Sequence, residues 1–206
     1  MRPLAKVCGL RRAEDAAWAV AGGADLLGFV QHPPSPRHCE DLDLAAPWLD
    51  RAVLVMVAEA VEPVLATARA HGFRRVQPHL PPRLRAAGVA LLKAEGLFVL
   101  VPWADEPGQE AAPADLYLWE PSPGVTGVPG GSGQGHAMGF PPPGPFLLAG
   151  GLDGTCVRTR VAALPQDLRS HFRGCDAASR LEASPGCKDP HRVTAFIDAV
   201  HHLERP

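Results

Sequence analysis

Eight short apolar runs punctuate this chain, at 4–8, 25–30, 52–57, 75–77, 97–101, 115–119, 146–149 and 172–176. Each is too short for a helix and carries little alternation. Strands buried on both faces read this way. Between several of them lie stretches with helical spacing, at 11–21, 61–70, 82–94, 155–163 and 191–203. Strands joined through helices must run parallel, and eight of them can close on themselves. The reading is an α/β fold, a (β/α)8 TIM barrel forming a single domain over residues 1–206. An open doubly wound sheet is the other architecture of this kind, but no GxGxxG follows the first run.

Local signals refine the expectation. Glu14 and Asp15 fall in the first turns of helix one, and Gly22-Gly23 stops it. Pro47 weakens a helix over 41–49, and Gly88 marks a possible break in the helix over 82–94. The span between Pro102 and Pro113 is short and polar, so helix five is expected to be reduced. Residues 121–145 are rich in proline and glycine, and a connection this long in a compact domain is usually functional. In the closing helix Val193, Phe196, Ile197 and Val200 share one face, and His201-His202 reads as a solvated end.

Composition excludes several classes. The net charge is −2 at pH 7, so no nucleic-acid partner and no membrane surface are expected. No apolar run reaches spanning length. The five cysteines are odd in number and irregularly spaced, without a CxxC pair, which points to a reduced, cytoplasmic setting. The nine histidines form no HExxH or paired Cys/His spacing, so no metal is expected.

In barrels of this kind the chemistry sits at the C-terminal ends of the strands. Strand one ends at Cys8, strand two leads to Arg37, and strand four to His79. Strand six ends near Glu120, strand seven at Gly150-Gly151, and strand eight at Asp176 and Ser179. Two turns of small residues after the last two strands describe a phosphate cradle built from backbone N–H groups. A thiol, a guanidinium, an imidazole and carboxylates around that cradle suit acid–base work on a small phosphorylated substrate.

With these positions in place, the chain resembles a known family. Lys6-Val7-Cys8-Gly9-Leu10 is similar to the K-I-C-G-[IL] opening of the phosphoribosylanthranilate isomerases of tryptophan biosynthesis. Ala24 to Val30 resembles their second strand, Ser35-Pro36-Arg37 their S-x-R turn, and Val76-Gln77-Pro78-His79 their V-Q-L-H. Gly130-Gly131-Ser132-Gly133 resembles G-G-[ST]-G, and Leu148-Ala149-Gly150-Gly151-Leu152 resembles L-A-G-G-[IL]. Asp176-Ala177-Ala178-Ser179 and Pro185-Gly186-Cys187-Lys188-Asp189 resemble D-x-S-S-G and P-G-x-K-D. The matches run in order over nearly the whole chain.

The resemblance implies an Amadori rearrangement of N-(5-phosphoribosyl)anthranilate, without a cofactor, by a monomer or homodimer. It implies Cys8 as general base, Arg37 as holder of the anthranilate carboxylate, and His79 in the same pocket. Gly131, Ser132, Gly133, Gly150, Gly151 and Ser179 would surround the phosphate. A thiol's pKa of about 8.5 can be lowered by cations, and an arginine fork pairs a carboxylate bidentately.

Two departures stand out. The family acid is an aspartate ending strand six, but here that strand reads Leu118-Trp119-Glu120-Pro121. Either Glu120 takes the acid's place, one methylene longer, or Trp119 stands there. Arg180 occupies the place of a family glycine. Two further readings fit the same residues: a catalytically weak paralogue that binds a phosphorylated ligand, and a phosphoribosyl isomerase with another substrate. The histidine-pathway relative would carry an aspartate where Cys8 stands.

Overall fold

The computed structural model describes residues 2–103, 112–119 and 141–203. Eight parallel strands close into a barrel in sequence order: β1 (Leu4–Cys8), β2 (Leu26–Gln31), β3 (Ala52–Val57), β4 (Arg75–His79), β5 (Phe98–Trp103), β6 (Leu116–Trp119), β7 (Phe146–Leu148) and β8 (Phe172–Ala177). The ring closes where Leu4 to Val7 pair with Gly174 to Ala177. Helices α1 (Ala13–Ala21), α2 (Glu62–His71), α3 (Pro82–Ala94), α4 (Val157–Ala162) and α5 (Pro190–His201) lie outside it.

The period-two alternation of each strand separates two cores. Cys8, Leu26, Val53, Val55, Leu100, Leu116, Leu118 and Leu147 fill the barrel's interior. Their strand neighbours Val7, Leu27, Leu54, Val76, Val101, Trp119 and Leu148 belong to the outer core with the helices. From β5 round to β8 that outer core is aromatic. The rings of Trp103 and Tyr117 lie 5.7 Å apart, those of Trp119 and Phe146 5.3 Å, and those of Phe146 and Phe172 6.1 Å, all close to edge-on.

Several local expectations change. Residues 42–48 form a 3-10 helix around Pro47, which has no N–H for an α-helical bond. Helix α3 runs unbroken through Gly88. A methyl group there would stand 2.7 Å from Leu80 Cδ1 and 2.8 Å from Val61 Cγ2, so the glycine admits close packing. His201 is not a solvated end: its side chain is 17% exposed, and its Nε2 lies 3.1 Å from Asp25 Oδ2. Asp25 also accepts from the Ala5 N–H at 2.9 Å, so one carboxylate ties α5 to β1 at the N-terminal face of the barrel. The closing helix buries the predicted face, Val193, Phe196, Ile197 and Val200. Its N-terminus is capped by Asp189, which accepts from the N–H groups of His191 and Arg192.

The reduced helix five falls mostly outside the described residues; 112–115 are not helical. A small antiparallel hairpin, β9 (Glu182–Ser184) with β10 (Cys187–Lys188), was not anticipated from the sequence. It lies between β8 and α5. None of the five cysteines is bridged to another. Among the described residues, no helix is long and apolar enough to cross a membrane.

Candidate active site

Cys8 ends β1 on the inward face, 8% exposed. It pairs across the sheet with Gly28 of β2. A methyl group at Gly28 would lie 2.7 Å from Cys8 Sγ, so the glycine makes room for the thiol.

Two lysines act on that thiol. Lys6 precedes it by one inward position, is completely buried, and donates from Nζ to Asp176 Oδ1 at 2.7 Å. Lys188, on β10, is also completely buried at its side chain and donates to Glu182 Oε1 and to the Ala178 carbonyl, both at 3.0 Å. Burial pushes the Cys8 thiol up; Lys6, by charge and hydrogen bond, and Lys188, by charge, pull it back, while Asp176 pushes it up further. Burial works against the Lys6 ammonium, yet Asp176 and Cys8 hold its pKa above the usual value. Lys188 goes the other way, lowered by burial against the pull of Glu182.

Arg37 follows β2 and reaches Glu182 of β9. Its Nε donates to Oε1 at 2.7 Å and its Nη2 to Oε2 at 2.9 Å, a two-point pair. Its stem crosses Gly9, where a Cβ would come within 2.6 Å of Arg37 Cδ. The sequence pointed to Cys8 at the end of strand one and to Arg37 beyond strand two; in the fold Arg37 and Lys188 share Glu182, and Lys188 acts on Cys8 by charge. Neither Lys188 nor Glu182 was anticipated as part of the site; the charged residues inside an otherwise apolar or small-residue segment were the available signal.

His79 ends β4. Burial first, then the charges of Lys6, His32 and Arg85, lower its pKa to about 4, so it is neutral at neutral pH. Its Nε2 lies 3.2 Å from Gln77 Nε2, and Gln77 Oε1 is buried without a partner among the described residues. A cavity of about 340 Å³ opens beside it, lined by Val57, Glu59, Pro78, Leu80 and Arg85 among others. The low pKa has a measurable consequence. The unfolded chain takes up this proton near pH 6.5 and the folded chain near pH 4. Stability linked to His79 is therefore full above about 6.5 and lost as pH falls toward about 4. Urea unfolding at pH 7.5 and 4.5 is expected to show a smaller acid-side loss for His79→Gln than for the unsubstituted protein.

On the far strands, Gly150 and Gly151 have φ of 87° and 64°, backbone that other residues rarely adopt. Among the described residues, no acceptor pairs with their N–H groups or with that of Ser179, which opens the turn after β8. Arg180 is the next residue of this turn. Its Nη1 donates to Asp153 Oδ2 at 3.0 Å, across to the loop after β7. Burial would raise the Asp153 carboxyl, but bonds from Thr155, Arg180 and the Cys156 N–H hold it well below the usual range. Trp119 is turned into the outer core against Phe146, so it does not stand on the inner face. Glu120, Gly131, Ser132 and Gly133 lie outside the described residues. Among those described, no group of three His, Cys, Asp or Glu side chains could hold a metal.

A closed βα barrel whose mouth gathers a thiol, two lysines and glycine turns on its last strands is the architecture of an enzyme that moves protons on a small anionic molecule. Comparison with known proteins narrows this. No family model matches the chain. The N-(5'-phosphoribosyl)anthranilate isomerase of Azorhizobium caulinodans is 36% identical, over 97% of this chain and 92% of its own length. That of Deinococcus radiodurans is 35% identical, over 95% of each. The crystal structure of TrpF from Jonesia denitrificans superposes with a TM-score of 0.74, at 27% identity and 96% coverage of both chains. The chain belongs to the phosphoribosylanthranilate isomerase family.

Proposed function

We propose that the chain converts N-(5-phosphoribosyl)anthranilate to 1-(2-carboxyphenylamino)-1-deoxyribulose 5-phosphate. The observation that carries this reading is the Cys8 thiol held at the mouth beside two buried ammonium groups. An acid protonates the furanose ring oxygen and the ring opens to a Schiff base. A base then takes the C2 proton, and the enolamine tautomerises to the ketone. One residue does not easily serve both atoms. Cys8 is the base: burial keeps its thiol above the ordinary range, and Lys6 and Lys188 favour the thiolate against that burial.

Glu120 is the acid. The inward positions of β6 are 116 and 118, and in the sequence Glu120 follows them at the same spacing of two. Arg37 holds the anthranilate carboxylate, and His79, being neutral, lines the pocket without adding charge. The free acceptor of Gln77 suits a substrate hydroxyl, which would relieve a buried unpaired oxygen. The phosphate lies against Gly150, Gly151 and Ser179, and the motif Gly131-Ser132-Gly133 is assigned to the same group by the family resemblance. No cofactor enters these steps. Monomer and homodimer are both compatible with a site drawn from one chain.

The test is direct assay of the purified protein, following loss of the anthranilate conjugate's fluorescence. Turnover is expected. Tight binding of the product with no turnover would instead favour the weak paralogue. A second result bears on the same site. Gly28→Ala is expected to keep the fold and lower kcat by about tenfold or more, because the added methyl displaces the Cys8 sulfur and small misplacements are costly.

A further inference from the structure

We infer that Glu182 is a positioning residue: through its two-point pair it aims the Arg37 guanidinium, and it thereby sets the preference for a substrate bearing a carboxylate. This rests on the reading of Arg37 given above.

The pair is built rather than incidental. Glu182 is 4% exposed at its side chain and Arg37 17%. The Arg192 guanidinium donates to the Glu182 carbonyl at 2.6 Å, and the Asp189 N–H donates to the Leu181 carbonyl at 2.9 Å, so the backbone is held at Glu182 and at the residue before it. The stem of Arg37 lies over Gly9, directly after Cys8, where only a residue without a Cβ leaves it space.

A guanidinium has five donors in one plane. Glu182 uses the edge formed by Nε and Nη2. The other edge, formed by Nη1 and Nη2, makes no hydrogen bond among the described residues. That edge matches a second carboxylate. Charge leads to the same place. Arg37 and Lys188 both pair with the single carboxylate of Glu182. With both cations protonated, the cluster keeps one uncompensated positive charge, and an anion entering the mouth would neutralise it.

Two explanations of Glu182 then predict opposite results. If the cluster attracts the substrate by charge alone, removing the Glu182 charge strengthens the attraction. If Glu182 aims the fork, removing it lets the plane turn, and selection for the carboxylate is lost.

Calorimetric titration of the full chain with two stable probes separates them. One is the reduced product, 1-(2-carboxyphenylamino)-1-deoxyribitol 5-phosphate; the other is its phenylamino counterpart without the carboxylate. Glu182→Gln is expected to weaken binding of the first by about tenfold, as for one misdirected charged hydrogen bond. The second should change by less than about twofold, which also shows that the variant is folded. If the glutamine variant does not fold, Glu182→Asp keeps the charge but retracts it by one methylene, and the same selective loss is expected. A carboxylate preference kept or increased in these variants overturns the inference, provided that Arg37→Met abolishes it. A preference that survives Arg37→Met overturns the reading of Arg37 itself, and this inference with it.

Discussion

Replacement of Cys8 by alanine is expected to lower kcat by about a thousandfold, within the range for loss of a positioned general base. The dissociation constant of the reduced product should stay within roughly twofold, because the thiol is asked to move a proton and not to hold the substrate. The thiol sits inside the barrel mouth, where burial opposes its ionisation and Lys6 and Lys188 favour it. The working form is the thiolate. In the unsubstituted protein kcat/KM should therefore rise with pH as the thiol ionises, and that limb should vanish in Cys8→Ala. Cys8→Ser should be nearly as inactive, because an alcohol ionises far less readily than a thiol. Wild-type activity in either variant would remove Cys8 from the mechanism.

The second large effect concerns stability. Lys6→Met removes the partner of a buried carboxylate, since Lys6 is completely buried and the Asp176 side chain is only 10% exposed. Breaking such a pair from one side costs about 3–5 kcal/mol, because the remaining charge is left without compensation. Urea unfolding should show a loss of that order. Lys6→Met with Asp176→Leu should recover much of it, since an apolar pair of similar volume carries no desolvation penalty. Any activity left in either variant should need a higher pH, because Lys6 is the cation that does most to favour the thiolate. A single variant as stable as the unsubstituted protein would mean that Asp176 finds water or another donor.

The barrel was legible because its eight strands are nearly continuous apolar runs, and short runs linked by helices leave few topologies. Cys8 and His79 were legible as strand-end residues, and Arg37 as a residue of the turn that strand two leads into. What joins them was not. Arg37 and Glu182 stand 145 residues apart, and their contact depends on how the closed ring brings the start and end of the chain together. The hairpin 182–188 is short and carries few apolar residues, so neither periodicity nor composition marks it. Lys6 looked like the polar start of a motif, whereas the pairing of β1 with β8 puts it beside Asp176 in the interior. Gly88 shows the reverse error: a residue that breaks helices in isolation is required here by what packs against it.

The hairpin and the turn carrying Arg37 also touch at their backbones. A Cβ on Gly186 would lie 2.2 Å from the Pro36 carbonyl oxygen. Segments 35–37 and 182–188 therefore form one surface although the chain separates them. A chimaera that takes residues 33–39 from a relative and keeps the hairpin of this chain would join mismatched halves. Transplanting the substrate preference of another family member requires exchanging the two segments together, with a crossover on each side of both.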